Sequence, residues 1–258
     1  MKNIGTYISE INKFETLALR DTVIHRLHPA TKLFSTLAFI IVVVSFKRYD
    51  FTLLSPFFFY PVVITAIAEI PYKTLLPKLL IALPFCLFAG ISNVMFDQNT
   101  ALIFFNIPVS YGVISLLTII FKMILSVSAA LLLTATTPLT ELSMQLRRLH
   151  VPYVFVTIFE MTYRYIGVLL EETHSMTTAY LLRSKGRKAL KMQHMGSFLG
   201  QILLRGFDRA ERVYSAMLCR GYGGNETVRK KTSFKLKDSI YFLTICILVL
   251  FFRFVRIF

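Results

Sequence analysis

The chain has 258 residues, of which 55% are hydrophobic and 17% are charged, and its mean hydropathy is +0.61. Soluble domains contain about 45–50% apolar residues, so this composition disfavours a soluble fold and predicts an integral membrane protein. The 29 Lys and Arg outnumber the 14 Asp and Glu, which gives a formal charge of +15. In so apolar a chain this excess indicates the water-facing ends of a membrane protein, and it disfavours a disordered or nucleic-acid-binding chain.

Apolar runs near the length that crosses a bilayer recur along the chain. They predict an all-α, polytopic integral membrane protein with about five transmembrane helices. The runs are Leu33–Phe46, Phe51–Ile70, Leu79–Phe96, Tyr111–Leu133 and Ser239–Phe258. Prolines interrupt the second and third runs, where neighbouring helices can satisfy the freed carbonyl groups.

The distribution of basic residues predicts which connections face the cytoplasm. No Lys or Arg lies between Leu79 and Phe121, so the connection around Asp97 to Pro108 is predicted to face outward. Counting spans back from this connection places the basic amino-terminal segment in the cytoplasm. Two small basic clusters oppose this orientation because the same count places them outside: Lys47 with Arg48, and Arg253 with Arg256.

The segment between the fourth and fifth runs differs from the rest of the chain. It holds 17 Lys and Arg against 8 Asp and Glu, and it contains no comparable uncharged apolar run. We therefore predict an amino-terminal part with four spans, a cytoplasmic coupling-helix domain, and a carboxyl-terminal span. Their bounds are residues 1–135, 136–238 and 239–258.

Three helices are predicted in this cytoplasmic domain. A short helix begins at Pro138 and runs toward Arg148. A long helix begins at Pro152, because apolar residues recur from there at three-to-four-residue spacing as far as Arg183. At 1.5 Å per residue this helix is about 48 Å long. A second long amphipathic helix follows and ends at Gly221.

The two long helices end alike. In each, an alanine precedes an arginine by four residues and a small residue follows it, giving Leu182-Arg183-Ser184 and Cys219-Arg220-Gly221. An arginine at a helix carboxyl end complements the helix dipole and presents a planar fork of five donors. Two interpretations stay open: the arginines dock two copies of a partner, or they cap their own helices.

A set of short motifs extends through most of the chain. The motifs are His28-Pro-Ala-Thr-Lys-Leu33, Val43-Val-Ser-Phe46 with Arg48-Tyr49, Leu83-Pro-Phe85 with Phe96-Asp97, Thr136-Thr-Pro138 with Glu141-Leu142, Tyr163-Arg164, Leu203-Leu-Arg205, Arg209-Ala-Glu-Arg-Val-Tyr214, and Ala216-Met217 with Arg220-Gly-Tyr222. Together they resemble the transmembrane T component of energy-coupling factor transporters, specifically the CbiQ type of cobalt uptake systems.

The resemblance implies a non-catalytic scaffold in a prokaryotic cytoplasmic membrane. Such a scaffold joins a membrane-embedded, substrate-binding S component to two ATP-binding-cassette ATPases. ATP and Mg²⁺ are then expected in the partner ATPases, cobalt or nickel in the S component, and no cofactor in this chain.

The resemblance also implies that Ala-Arg-Gly-like motifs at the tips of two coupling helices are seated in grooves of the ATPases. By motif match these tips are Leu182-Arg183-Ser184 and Cys219-Arg220-Gly221. Both keep the arginine, whereas Leu182 and Cys219 stand where the family has alanine and Ser184 stands where it has glycine.

Other signatures of chemistry are missing from the sequence. No P-loop, H-E-x-x-H or G-x-S-x-G motif occurs, and the three cysteines form no C-x-x-C pair, which disfavours an enzyme or a redox protein. Asp21, His25 and His28 have a spacing compatible with a metal site, for which hydrogen bonding is the favoured alternative. Lys122, in the fourth span, is predicted to face a partner or another helix, or to lie at the membrane interface.

The predicted function is an energy-coupling scaffold for ATP-driven uptake of cobalt or nickel. One alternative keeps the scaffold and assigns it to a vitamin-uptake system. Another alternative, of a different class, is a stand-alone secondary transporter whose path includes Lys122 and the proline-broken spans. The absence of visible inverted repeats argues against that second alternative.

Overall fold

A computed structural model describes residues 13, 15–47, 51–96, 100–104, 107–149, 151–184, 190–223 and 236–254. In chain order these residues form α1 Pro29–Val44, α2 Phe51–Leu54, a 3₁₀ helix Ser55–Phe58, α3 Phe59–Ile67, α4 Tyr72–Phe96, β1 Thr100–Phe104, β2 Ile107–Ser110, α5 Tyr111–Thr136, α6 Leu139–Arg148, α7 Tyr153–Arg183, α8 Met192–Cys219 and α9 Leu236–Phe254. The predicted all-α, polytopic membrane fold is confirmed. Arg48 and Arg256, from the basic clusters, lie outside the described residues.

Helices occupy each of the five predicted runs. By length and hydropathy α4 and α5 can each cross a bilayer, and α1 and the segment Ser55–Ile67 are shorter apolar helices. Helix α7 also meets both criteria. Its position outside the membrane therefore stays a prediction.

Proline explains why the second run is not one regular helix. Pro56 lies at the first turn of the 3₁₀ helix, and Pro61 lies near the start of α3, where an amide hydrogen has no partner within the helix. The segment therefore passes from α to 3₁₀ and back to α without a loop. In contrast, Pro77 and Pro84 lie inside α4, which continues through both.

A short hairpin connects α4 to α5. Strands β1 and β2 pair antiparallel, with Thr100 opposite Ser110 and Phe104 opposite Ile107. We predicted an outward-facing connection here and no strands. A search for runs of about 20 apolar residues does not detect two strands of this length, although β1 consists largely of residues that favour strands.

The helices belong to two compact units. The membrane unit contains α1 to α5, the hairpin, the first part of α6 and helix α9. The long-helix unit contains Lys13 and the end of α6, together with α7 and α8. The chain passes between the units at three places: just after Lys13, between Gln145 and Leu146, and between α8 and α9.

The apolar core lies in the membrane unit. The rings of Phe39 and Tyr60 stack with their centroids 4.1 Å apart, and Phe46 meets Phe57 edge-on at 5.3 Å. Leu125 of α5 is fully buried in the same cluster. Helices α1, α3 and α5 therefore form the centre of this unit.

Contacts at both ends of α1 and α9 show that these helices run parallel. The backbone N–H of His28, which precedes α1, donates to Asp238 Oδ1 at 2.8 Å, near the start of α9. At the other end, Arg253 Nη2 donates to Ser45 Oγ at 3.3 Å, and its guanidinium lies 5.0 Å from the ring centroid of Phe46. The described members of the two opposing basic clusters, Lys47 and Arg253, thus belong to one end of the membrane unit.

Candidate functional site

The first predicted tip is the carboxyl end of α7. Ser184 ends this helix, since its backbone N–H donates to the Tyr180 carbonyl at 3.0 Å and its hydroxyl donates to the Leu181 carbonyl at 3.0 Å. The Leu182 side chain is 80% exposed and Arg183 is exposed as well. The tip therefore presents an apolar side chain beside a guanidinium, whereas Ser184 serves the turn.

The second predicted tip is the carboxyl end of α8, and it ends in a Schellman motif. The N–H of Gly221 donates to the Leu218 carbonyl, and the N–H of Tyr222 donates to the Met217 carbonyl, both at 3.0 Å. Gly221 has a φ of +82°, a left-handed conformation that side chains other than hydrogen disfavour. Arg220 is exposed at this turn. Glycine is thus required by the backbone at the second tip.

Helices α7 and α8 run antiparallel, so the two tips lie at opposite ends of the pair. The Tyr180 and His194 rings are 5.9 Å apart, which joins the end of α7 to the start of α8. Further back along α7, Tyr165 lines the same groove as Met217, near the end of α8. Because α8 has 28 residues, it is about 42 Å long, and most of that length separates the tips.

Both tip arginines are open to a partner. Within the described residues, Arg183 and Arg220 form no ion pair. A guanidinium in this position can bind a carboxylate with two parallel hydrogen bonds, at roughly twice the strength of neutral ones. The structure therefore keeps both of the interpretations drawn from the sequence, and it adds that the two guanidinium groups can meet separate partners.

An ion-pair cluster ties α7 to α8 between the tips. Arg205 Nη1 lies 2.7 Å from one oxygen of Glu172, and Arg209 Nη2 lies 3.6 Å from the other. Within α8 itself, Asp208 and Glu211 are interleaved with these arginines and offer partners on the same helix. The acid is instead on α7, because sequence spacing shows neighbours within a helix and not those across helices.

A groove of about 570 Å³ lies between α7 and α8. Most of the residues that line the groove are apolar or aromatic. Tyr222, which follows the second tip, lines the groove together with Met217. The lining residues include Ile158, Met161, Tyr165, Ala210, Val213, Met217 and Tyr222. The groove is continuous with the second tip, so a protein bound at either feature lies close to the other.

A buried polar cluster lies at the start of α1, in the membrane unit. Lys32 is only 3% exposed to solvent. Its Nζ donates to the carbonyls of Thr136 at 2.8 Å and His25 at 3.2 Å. Asp238 is equally buried, and Glu141 and Asp238 both attract the Lys32 ammonium. We call these five residues, with His28, the Lys32 cluster. Sequence reasoning missed it, although Lys32 stands in the quoted His28–Leu33 motif.

The two histidines of the possible metal site have separate hydrogen-bonding roles. His28 caps α1, since its Nδ1 accepts from the Ala30 N–H at 3.1 Å. His25 Nε2–H donates to the Ala135 carbonyl at 3.4 Å, so its Nδ1 accepts from the Thr22 hydroxyl at 2.7 Å. Burial lowers the pKa of His25, which favours this neutral ring.

The remaining member of the possible metal site is used elsewhere. Asp21 forms an ion pair with Arg26 that involves both carboxylate oxygens. In the part of the chain that the structure describes, no group of three metal-binding side chains is brought together. The favoured alternative, hydrogen bonding, is what the structure assigns to His25 and His28.

Lys122 contacts another helix, one of the options that the sequence left open. Its Nζ donates to the carbonyls of Val44, at 3.2 Å, and Phe46, at the carboxyl end of α1. The charge of Lys122 is thus directed at the negative end of a helix dipole.

Comparison with known proteins gives consistent matches. Residues 20–232 match the family described as CbiQ, cobalt transport protein. The energy-coupling factor transporter transmembrane protein EcfT of Bacillus selenitireducens is 28% identical over 252 residues, 85% of this chain and 88% of that protein. EcfT of Bacillus subtilis is 24% identical over 91% of this chain and 94% of its own length. The cobalt transport protein CbiQ of Rhodobacter capsulatus is 32% identical over 97 residues, 37% of this chain and 40% of that protein.

Proposed function

The chain belongs to the CbiQ cobalt transport protein family, and from that membership we propose that it is the scaffold of an ATP-driven cobalt or nickel transporter in a prokaryotic cytoplasmic membrane. Family and relatives make it a transmembrane energy-coupling component of an uptake transporter. The proposal adds the cargo and the partners: two ATP-binding-cassette ATPases and a membrane-embedded S component.

The observation that carries the proposal is the placement of the two arginine tips. Arg183 and Arg220 are exposed at opposite ends of an antiparallel helix pair, separated by most of the length of α8. Two like tips so far apart suit two copies of one partner, each of which receives a single tip. A cap of its own helix needs neither the exposure nor the repetition.

A motion at one tip reaches the other helix of the pair through the contacts between α7 and α8. Glu172 binds Arg205 and Arg209 across the pair, so force applied at a tip acts on both helices. We propose that ATP-driven motion between the two ATPases changes the angle between α7 and α8 and reorients the S component. ATP and Mg²⁺ bind in the ATPases and the metal cargo binds in the S component, so the scaffold holds no cofactor.

The S component needs an apolar surface on the scaffold. The α7–α8 groove supports this assignment, since it is largely apolar and is continuous with exposed hydrophobic side chains such as Ile158 and Tyr214. A change in the angle between α7 and α8 alters the shape of this groove. An S component seated there is displaced by the same motion that the ATPases drive.

The test is affinity purification of the tagged chain from membranes, with mass spectrometry of the proteins that accompany it. Arg183→Ala or Arg220→Ala is expected to weaken ATPase recovery by about tenfold, as loss of a charge-assisted contact implies, and the double variant to abolish it. The matched control is Arg164→Ala with Arg212→Ala, exposed arginines in the interior of the same helices, which should leave recovery unchanged.

Each contrary outcome identifies which part of the proposal is wrong. Intact transport in the Arg183→Ala/Arg220→Ala variant would refute the docking assignment. A vitamin-binding S component in place of a metal-binding one would replace the cargo and keep the scaffold. A chain that purifies alone and still transports would identify a secondary transporter.

A further inference from the structure

The Lys32 cluster gathers four helix ends around one buried ammonium. Thr136, whose carbonyl accepts from Lys32, is the last residue of α5. Glu141 lies in the first turn of α6, and Asp238 lies in the first turn of α9. Because Lys32 itself is in the first turn of α1, its side chain contacts or attracts groups on all four helices.

These helix ends include two of the three places where the chain passes between the two units, the third being just after Lys13. The outgoing passage runs from Thr136 through α6 to Leu146, and Glu141 lies on it. The returning passage ends at the start of α9, where Asp238 holds the backbone N–H of His28. The Lys32 cluster therefore links the start of α6 and the start of α9 to α1, the helix that contributes Phe39 to the core of the membrane unit.

The opposite end of α1 offers an internal comparison. Lys122 of α5 caps the carboxyl end of α1, just as Lys32 of α1 caps the carboxyl end of α5. Helices α1 and α5 thus run antiparallel and each supplies a lysine to the other. The two lysines make the same type of contact, and only Lys32 lies beside the passages to the long-helix unit.

We propose that the Lys32 cluster is the joint through which movement of the long-helix unit is transmitted to the membrane unit, with Lys32 as its positioning residue. A buried ammonium attracted by two carboxylates and bonded to two carbonyls resists displacement, because its removal leaves those groups uncompensated. Force delivered along either passage is therefore passed to α1 and α5 and not lost in local bending. This inference rests on the proposed function, and it assigns to that function a residue far in sequence from both docking tips.

The experiment compares Lys32→Met with Lys122→Met in the complete transporter. ATPase co-purification, ATP hydrolysis and uptake of Co²⁺ are measured for each variant and for the unaltered chain. Lys32→Met is expected to retain the ATPases and their hydrolysis and to take up at least about tenfold less Co²⁺ per ATP hydrolysed, a change in the usual range of coupling between sites. Lys122→Met is expected to keep the ratio of the unaltered chain. Lys32→Arg, which keeps the charge, should recover part of the lost uptake.

Two results overturn the inference: equal coupling ratios in the two lysine variants, or loss of uptake only in proportion to loss of the bound ATPases. If Lys32→Met does not accumulate in membranes, Glu141→Gln and Asp238→Asn keep the side-chain shapes and remove the charges. Reduced uptake per ATP in these variants supports the joint, and unchanged ratios in both reject it.

Failure of the proposed function is visible separately, because it affects the unaltered chain. If that chain retains ATPases and transports no Co²⁺, the labelling rate of Cys86, in α4 of the membrane unit, is compared with and without ATP. A change that occurs in the unaltered chain and in Lys122→Met, and is lost in Lys32→Met, supports the joint without reference to cargo. The same change in all three, or in none, rejects it.

Discussion

Single residues distinguish the two tips more sharply than their similar sequences do. Ser184 ends α7 through hydrogen bonds in a right-handed turn, whereas Gly221 ends α8 with a φ of +82°. The first tip therefore tolerates a serine where the family has glycine, and the second tip does not. The difference follows from the conformation that each helix adopts after its arginine.

Gly221→Ala is predicted to destabilise the end of α8 by about 1 kcal/mol, because alanine is strained in the left-handed conformation. Hydrogen exchange of the amides of Gly221 and Tyr222 measures the effect, and ATPase recovery should fall with it. The matched control is Gly200→Ala, inside α8 with open space around it, which should not speed this exchange. Unchanged exchange in Gly221→Ala would contradict the assignment of the Schellman motif.

The sequence located the tip residues but not the partners of other charged side chains. Helix periodicity is a local pattern, and it predicts where each long helix ends. Arg183 and Arg220 therefore lie at helix ends, as expected. Lys32 and Glu172 act through residues 104 and 33 positions away, respectively. No local pattern encodes which distant carbonyl or guanidinium a side chain reaches, and these contacts could only be read from the fold.

Among the elements of the membrane unit, helices α4 and α5 pack closely against each other. A Cβ atom at Gly90 of α4 would lie 2.9 Å from Leu116 Cγ of α5, closer than carbon atoms pack. Near this point Asn93 Nδ2 donates to Ser115 Oγ at 3.1 Å. A small residue and an interhelical hydrogen bond are the usual means of helix association where lipid removes the hydrophobic driving force.

Gly90→Leu is predicted to separate α4 from α5 and to destabilise the protein by about 1–3 kcal/mol, the usual effect of overpacking. The measurement is the midpoint of thermal aggregation in detergent. Leu116→Ala in the same chain should restore part of the loss, because it clears the space that the new side chain needs. Gly167→Leu on α7, which meets open space, is the control, and an equal shift there would show that the effect is not due to the α4–α5 contact.

The positions of the helices could largely be predicted from the sequence, whereas interruptions in their helical geometry could not. Apolar runs placed all five helical segments of the membrane unit, and the periodicity from Pro152 gave α7 to within one residue. The interruption at Pro56 takes the form of a 3₁₀ turn between two α-helices, which an apolar run does not distinguish from a regular helix. The β1–β2 hairpin was missed because its strands are short and lie between two helices with long, strongly hydrophobic sequences.

At the scale of the molecule, helix ends define two faces of the membrane unit. The Lys32 cluster lies at one face, where α5 ends and α6 and α9 begin. The hairpin precedes α5 and therefore lies at the opposite face, as does the contact of Arg253 with Ser45. Lys47 and Arg253, the described basic residues that opposed the predicted orientation, are thus on the hairpin side. Their number is small beside the basic excess that follows α5.

We expect the hairpin face outside the cell and the Lys32 face in the cytoplasm. A Ser110→Cys variant should react with a membrane-impermeant thiol reagent in intact cells. The native Cys219, which is exposed at the end of α8, is the internal control and should react only after the cells are made permeable. The reverse pattern would invert the orientation derived from charge.

The exposure of helix α8 affects how the transporter is assembled. None of its residues is buried in the isolated chain, and Leu199, Leu203 and Phe207 are each more than half exposed. A copy without partners therefore offers its apolar side chains to chaperones and proteases. We expect surplus scaffold to be removed, so that the supply of finished transporter follows whichever subunit is synthesised most slowly.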